Sequence, residues 1–154
     1  MKLSTKGRYA VTAMVDLAQH GTDAPIALAD IAERQDISLS YLEQLFAKLR
    51  RHGLVSSVRG PGGGYKLGAA PSELRIADII RAVDEPIRTT ACASGGVTGC
   101  TGTTSRCLTH DLWEELGRQI QIFLSSVTIE DVVERKVLGR AGIDFLGEEL
   151  RAAG

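Results

Sequence analysis

The chain has 154 residues, 44% of them hydrophobic, and a formal net charge of −1. That length suits one domain with an appendage, and this apolar content can supply a core. No apolar run approaches the roughly 18 residues of a membrane span, and Met1-Lys2-Leu3-Ser4-Thr5-Lys6 lacks the apolar segment of a signal peptide, so the chain is expected to be cytoplasmic with no membrane partner. The net charge conceals an asymmetry. Residues 1–68 hold nine Lys/Arg against six Asp/Glu, or +3, and residues 69–154 hold nine against thirteen, or −4. A mildly basic front with an acidic rear fits nucleic-acid contact at one end only.

Lys6 to Gln19 is predicted helical: Ala10, Ala13, Met14, Leu17 and Ala18 fall at helical spacing, Ser4 or Thr5 can cap the start, and Gly21 stops it. A short second helix covers Leu28 to Arg34. After the polar link Gln35-Asp36-Ile37-Ser38, a third helix opens at Ser38 or Leu39 and runs through Arg51, with Gly53 where a left-handed cap is wanted. Leu42, Leu45, Phe46 and Leu49 form its docking stripe, while Ser40, Tyr41, Glu43, Gln44, Lys48 and Arg51 occupy the other face. A short helix, a brief turn and an amphipathic helix with a hydrogen-bonding outer face match a helix-turn-helix. Ser40, Tyr41 and Gln44 are the candidate base contacts. Glu43 repels phosphate but can accept from cytosine N4, so it would discriminate between sites. Lys6, Arg8, Lys48, Arg50 and Arg51 are candidate phosphate contacts, which set affinity more than specificity. The bland alternative is a solvated helix face.

The stretch after this helix favours the nucleic-acid reading. Leu54 to Val58 is predicted as a strand, Arg59-Gly60-Pro61-Gly62-Gly63-Gly64 as a tight loop, and Tyr65-Lys66-Leu67 as the returning strand. A hairpin directly after a helix-turn-helix is a wing, so the expected fold is mostly α with a small β wing. Gly60, Gly62 and Gly63 would permit close backbone approach to a sugar-phosphate chain, and Arg59 is placed to enter a minor groove. The glycines do not make a P-loop, because Lys66 lies between Tyr65 and Leu67, nor a dinucleotide fingerprint, because Tyr65 stands where Gly or Ala is needed.

Ala69-Ala70-Pro71-Ser72 marks a boundary, and Ile76 to Val83 reads as a short connecting helix ended by Asp84-Glu85-Pro86. Every cysteine then falls in one Gly/Ser/Thr-rich stretch, at 92, 100 and 107, with His110 after Cys107-x-x. Such filler builds no core, and the odd number of cysteines in a reducing compartment argues against disulfides. Cys92, Cys100, Cys107 and His110 are enough soft ligands to close a tetrahedral site. Structural zinc usually holds tighter cysteine pairs, whereas an open site suits an exchangeable cofactor; spacing alone leaves zinc and a cluster about even. His20 and His52, each near a helix C-terminus, read as structural.

Arg106 to Ser126 is predicted as the longest helix, with Leu108, Leu112, Leu116, Ile120, Leu124 and Val127 recurring nearly every fourth position. One small head cannot cover so broad a stripe, so a second copy is expected, against the alternative that the stripe packs within its own chain. Thr128-Ile129-Glu130-Asp131 resembles a cap before a short final helix holding Val132 and Val133. The expected organisation is a winged helix-turn-helix head at 1–70, a connecting helix and linker at 71–91, a ligand loop at 92–107, a dimerisation helix and short final helix at 106–135, and a loosely held tail at 136–154.

Three stretches carry a family resemblance: Leu3-Ser4-Thr5-Lys6-Gly7-Arg8-Tyr9-Ala10-Val11, Ile37 to Phe46, and Leu54 to Tyr65. Over roughly residues 1–133 the chain resembles the IscR family of winged-helix repressors, bacterial regulators of iron–sulfur cluster assembly. The resemblance implies a homodimer on double-stranded DNA, with one 2Fe–2S cluster per subunit held by Cys92, Cys100, Cys107 and His110. It further implies that the cluster-assembly machinery is the cluster donor and that the loaded form represses cluster-assembly genes. Both gaps between cysteines, seven and six residues, are longer than in that family. Two other readings compete with this one: a zinc-stabilised winged-helix regulator without redox sensing, and a thiol enzyme or metal carrier on a winged fold. The last needs a general base partner for its thiol, and none is apparent.

Overall fold

The computed structural model describes residues 4–21, 23–85, 87–89 and 107–138. Its elements are α1 (Thr5–His20), α2 (Leu28–Gln35), α3 (Leu39–Arg51), β1 (Val55–Val58), β2 (Gly64–Leu67), α4 (Ile76–Ala82), α5 (His110–Ser126) and α6 (Ile129–Val133). Among the described residues no helix is long and apolar enough to cross a membrane.

The helix signals resolve as local physics requires. Ser4 is the cap of α1: its hydroxyl accepts from the Lys6 backbone N–H at 3.2 Å. Thr128 and Asp131 form a reciprocal capping box at the start of α6. Gly53 follows α3 at φ 73°, the left-handed conformation that releases the chain into β1. His20 and His52 each hydrogen-bond a last-turn carbonyl through Nδ1, that of Asp16 at 2.9 Å and that of Lys48 at 3.0 Å.

One core joins the head to the elements behind it. Ala10, Ala13, Met14 and Leu17 of α1 meet Leu42, Leu45, Phe46 and Leu49 of α3, and Ile76, Ile79, Ile80 and Val83 close it from the α4 side. Phe46 is fully buried, worth about 2–3 kcal/mol of transfer energy, and the Tyr65 ring meets it edge-on at 5.0 Å. β1 and β2 pair antiparallel, from Val55 with Leu67 to Val58 with Gly64. Ile26, before α2, adds two further backbone hydrogen bonds to Tyr65, at 2.9 and 2.8 Å, and so ties the wing to the helix-turn-helix.

The dimer-helix expectation needs one correction. Helix α5 starts at His110, not Arg106. Thr109 has a non-helical ψ of 9°, and its hydroxyl accepts from the Trp113 indole at 3.2 Å. Hydroxyl residues favour such boundary positions because their side chains compete for local hydrogen bonds. The stripe itself divides in two. Phe123 and Leu124 pack against the core and Val127 is buried within it, whereas Leu108, Leu112, Trp113 and Ile122 are exposed. No residue within α5 is fully buried by the chain's own fold.

Candidate nucleic-acid interface and metal centre

Helices α2 and α3 meet through the short turn at Asp36–Ser38, where the Ile37 N–H reaches the Ala32 carbonyl at 3.1 Å. This leaves one face of α3 outward. Ser40, Glu43, Gln44, Arg50 and Arg51 are exposed on it, as are Lys6 and Arg8 on the first turn of α1. The Arg50 guanidinium donates to Ser57 Oγ at 3.3 Å, linking recognition helix and wing.

Two expected contacts carry other duties. Tyr41 is half-buried, its ring edge-on to Tyr9 at 6.0 Å, so it helps seat the start of α3. Lys48 donates to Asp84 Oδ2 at 2.7 Å. That hydrogen bond, with the charges of Lys48, Lys6 and His52, holds the Asp84 carboxyl below its ordinary range.

At the wing tip Arg59, Gly60 and Gly62 are exposed, and both glycines have positive φ, 99° and 73°. Gly63 and Gly64 answer to the chain itself. A Cβ on Gly63 would lie 2.3 Å from the Val58 carbonyl oxygen, and one on Gly64 would lie 2.2 Å from that of Ile26. The sequence reads Gly63 as permitting approach by a sugar-phosphate chain; the structure adds a demand from its own backbone.

Behind the interface, Asp16 is buried between α1 and α2. Its carboxylate accepts from Arg34 Nη2 at 2.7 Å, Arg34 Nε at 3.1 Å and Gln35 Nε2 at 2.7 Å, and His20 Nδ1 stands 3.5 Å away. Burial pushes this carboxyl up, but the hydrogen bonds from Arg34 and Gln35 and the Arg34 and His20 charges outweigh it, so it is held below 3.8. Sequence reasoning misses Asp16, and it also misses Glu85, which accepts from the backbone N–H groups of Ser4 and Gly7 at the start of α1. Burial raises the Glu85 carboxyl; the donors from Ser4 and Gly7 and the charge of Lys6 overcome that and lower it. The available signal was an Asp-Glu pair before a proline.

Of the four predicted metal ligands, Cys92 and Cys100 lie outside the described residues. Cys107 and His110 are joined by a turn ahead of α5: the His110 N–H reaches the Cys107 carbonyl at 3.1 Å. The thiol is half-buried, with Thr109 Oγ1 at 3.9 Å. The His110 ring is mostly buried, and its Nε2 lies 3.2 Å from Glu114 Oε2. Donor atoms of His110, Asp111 and Glu114 all fall within 4.8 Å of one another. Cys107 and His110, a thiol and an imidazole in one turn, are of the side-chain kinds that ligate iron–sulfur groups. A carboxylate beside the ring is the usual partner that orients a ligating histidine.

The chain matches known proteins along most of its length. A model of the Rrf2 family, described as an iron-dependent transcriptional regulator, matches residues 3–135. The HTH-type transcriptional regulator IscR of Photorhabdus laumondii is 57% identical over 143 residues, 92% of this chain and 85% of that protein. Its counterpart from Aliivibrio salmonicida is 56% identical over 133 residues, 86% of this chain and 77% of that protein. Among solved structures, T. potens IscR is 38% identical with a TM-score of 0.70, covering 92% of this chain and 93% of that one. CymR, the global cysteine regulator of B. subtilis, is 36% identical with a TM-score of 0.74, covering 88% and 98%.

Proposed function

The chain belongs to the Rrf2 family of iron-dependent transcriptional regulators, and from that premise we propose a cytoplasmic, homodimeric repressor of iron–sulfur cluster assembly genes whose promoter recognition depends on a 2Fe–2S cluster. It is a transcriptional regulator with a winged-helix head, not an enzyme, since the relatives named above are transcriptional regulators. The thiol-enzyme alternative falls on that finding.

The observation that carries the DNA-reading half is the outward face of α3 beside a wing whose tip presents Arg59. On a twofold dimer the two heads meet successive major grooves about 34–36 Å apart. Ser40 and Gln44 then address base edges, while Tyr41 holds the helix start in place. Glu43 penalises sites that give its carboxylate no donor. Lys6, Arg8, Arg50 and Arg51 neutralise phosphates, and Lys48 joins them when it leaves Asp84. The exposed Leu112, Trp113 and Ile122 on α5, with Leu108 in the turn before it, support pairing with a second copy.

Cys92, Cys100, Cys107 and His110 are the residues that would hold the cluster, one per subunit, with the cluster-assembly machinery as its source. When bound, it supplies a redox-responsive iron centre. Glu114 fixes the orientation of the His110 ring, and the 107–110 turn ties the ligand loop to the start of α5. A coupling of about 1–3 kcal/mol between this site and the heads changes promoter occupancy roughly 5–150-fold.

The test is oxygen-free purification followed by iron and sulfide analysis, visible absorption and promoter binding, on the native chain and on Cys92→Ala. Loss of both colour and cluster-dependent affinity in the variant is expected; their persistence refutes the reading. The carboxylates of Asp111 and Glu114 beside His110 favour one rival, a zinc-stabilised regulator, which would be colourless with stoichiometric zinc.

A further inference from the structure

The turn after α4 touches the head at two places that the DNA-binding arrangement leaves unexplained. Asp84 ends α4 in the left-handed conformation, φ 57°, which Asp and Asn tolerate better than most residues. Its Oδ2 accepts from Lys48 of the recognition helix at 2.7 Å. The next residue, Glu85, reaches the start of α1 and accepts from Ser4 and Gly7 N–H. The first helix has no acidic residue in its own first turn, so Glu85 supplies both the acceptors and the negative charge that a helix start favours. A groove of about 460 Å³, bordered by Ala77, Ile80, Ile87 and Gln121, lies against the same turn.

We propose that Asp84 and Glu85 form a joint that sets DNA affinity: Asp84 competes with phosphate for Lys48, while Glu85 anchors the joint to α1, so that the segment approaching the cysteines governs how many phosphates the recognition helix neutralises. The trigger for this joint rests on the sensing function proposed for the cysteine site; the competition itself does not. A lysine neutralised by its own carboxylate releases no counterion on docking, whereas one that is freed adds a full phosphate contact to the salt dependence. Asp84 thus acts through Lys48 as a positioning residue.

The test uses the full chain and a labelled mixed-sequence duplex of about 30 base pairs, long enough to span two half-sites. Asn keeps the left-handed turn, so Asp84→Asn should fold; melting curves verify this. The variant is expected to steepen the slope of log affinity on log salt by about 0.9 per subunit, about 1.8 for the dimer, so that its advantage over the native chain shrinks about 12-fold between about 50 and about 200 mM salt. In a Lys48→Gln background the same change should leave the slope unaltered. Equal steepening in that background, or none in either, overturns the competition. For the link to the loop, the ratio of loaded to stripped affinity should fall toward one in Asp84→Asn/Glu85→Gln at native iron content; an unchanged ratio overturns the coupling. A native chain that carries neither iron nor sulfide sinks the sensing reading instead, and the salt slopes still decide the competition.

Discussion

Replacing Arg34 by Met isolates what the buried Asp16 requires. The substitution keeps the aliphatic stem and removes the guanidinium that donates two of the three side-chain hydrogen bonds reaching the carboxylate from α2. Breaking a fully buried ion pair costs about 3–5 kcal/mol because the remaining charge stays desolvated. Here the Arg34 side chain is 35% exposed, so water replaces part of the loss, and about 2–3 kcal/mol is expected. At about 2–4 °C per kcal/mol for a chain of this size, the melting temperature should fall by about 4–12 °C. The Asp16→Leu/Arg34→Met double variant removes the stranded charge and should recover to within about 1 kcal/mol of the native chain. Urea denaturation of the native chain, both single variants and the double variant gives the coupling directly. A cost below about 0.5 kcal/mol for Arg34→Met, or a double variant weaker than Arg34→Met, refutes the reasoning. The pH dependence has a fixed sign. Asp16 titrates lower in the folded chain than its ordinary 3.8, so its contribution is complete above that value and drains away as pH falls through the folded-state value.

Other substitutions test other parts of the fold and site. Gly64→Ala places a methyl group against the Ile26 carbonyl at 2.2 Å; it should cost about 1–3 kcal/mol and loosen the wing, read by melting and by weaker DNA binding. Thr128→Ala removes one half of the capping box and should cost about 1 kcal/mol with DNA binding unchanged at temperatures well below the transition. Gln44→Ala should lower the preference for the promoter over a scrambled duplex by about 1–3 kcal/mol while leaving the salt slope as it was, measured by competition binding.

Most of the fold was legible because its elements obey simple periods. The stripe Leu42, Leu45, Phe46, Leu49 lies buried as its spacing requires, and Val55 to Leu67 forms the expected hairpin. What escaped notice depends on contacts distant in sequence. Asp16 reads as a surface residue until Arg34 and Gln35 come across from another helix, and Glu85 reads as a helix end until α1 arrives above it. The Ile26 bridge is similar: two backbone groups in a connection carry no compositional mark of pairing with a strand. Within the candidate site, the outward placement of Ser40, Glu43 and Gln44 followed from α3 alone. The double duty of Tyr41 and Lys48 did not, because Tyr9 and Asp84 decide it. Near the candidate ligands, sequence adjacency alone put Cys107 close to His110, whereas Glu114 was overlooked, since a carboxylate one turn along a helix is usually just solvated.

The pinning of α1 by Glu85 has a consequence for how the molecule is made. Ser4 and Gly7 leave the ribosome early, yet their acceptor is 81 and 78 positions further along. At about 5–20 residues per second, the leading helix waits about 4–16 s for its lock. The nascent chain therefore completes its promoter-gripping end only as the cysteine-bearing stretch is itself being synthesised. A prematurely released fragment ending near the wing would lack both that lock and the α4 layer beneath it, and would make a poor competitor for the finished regulator.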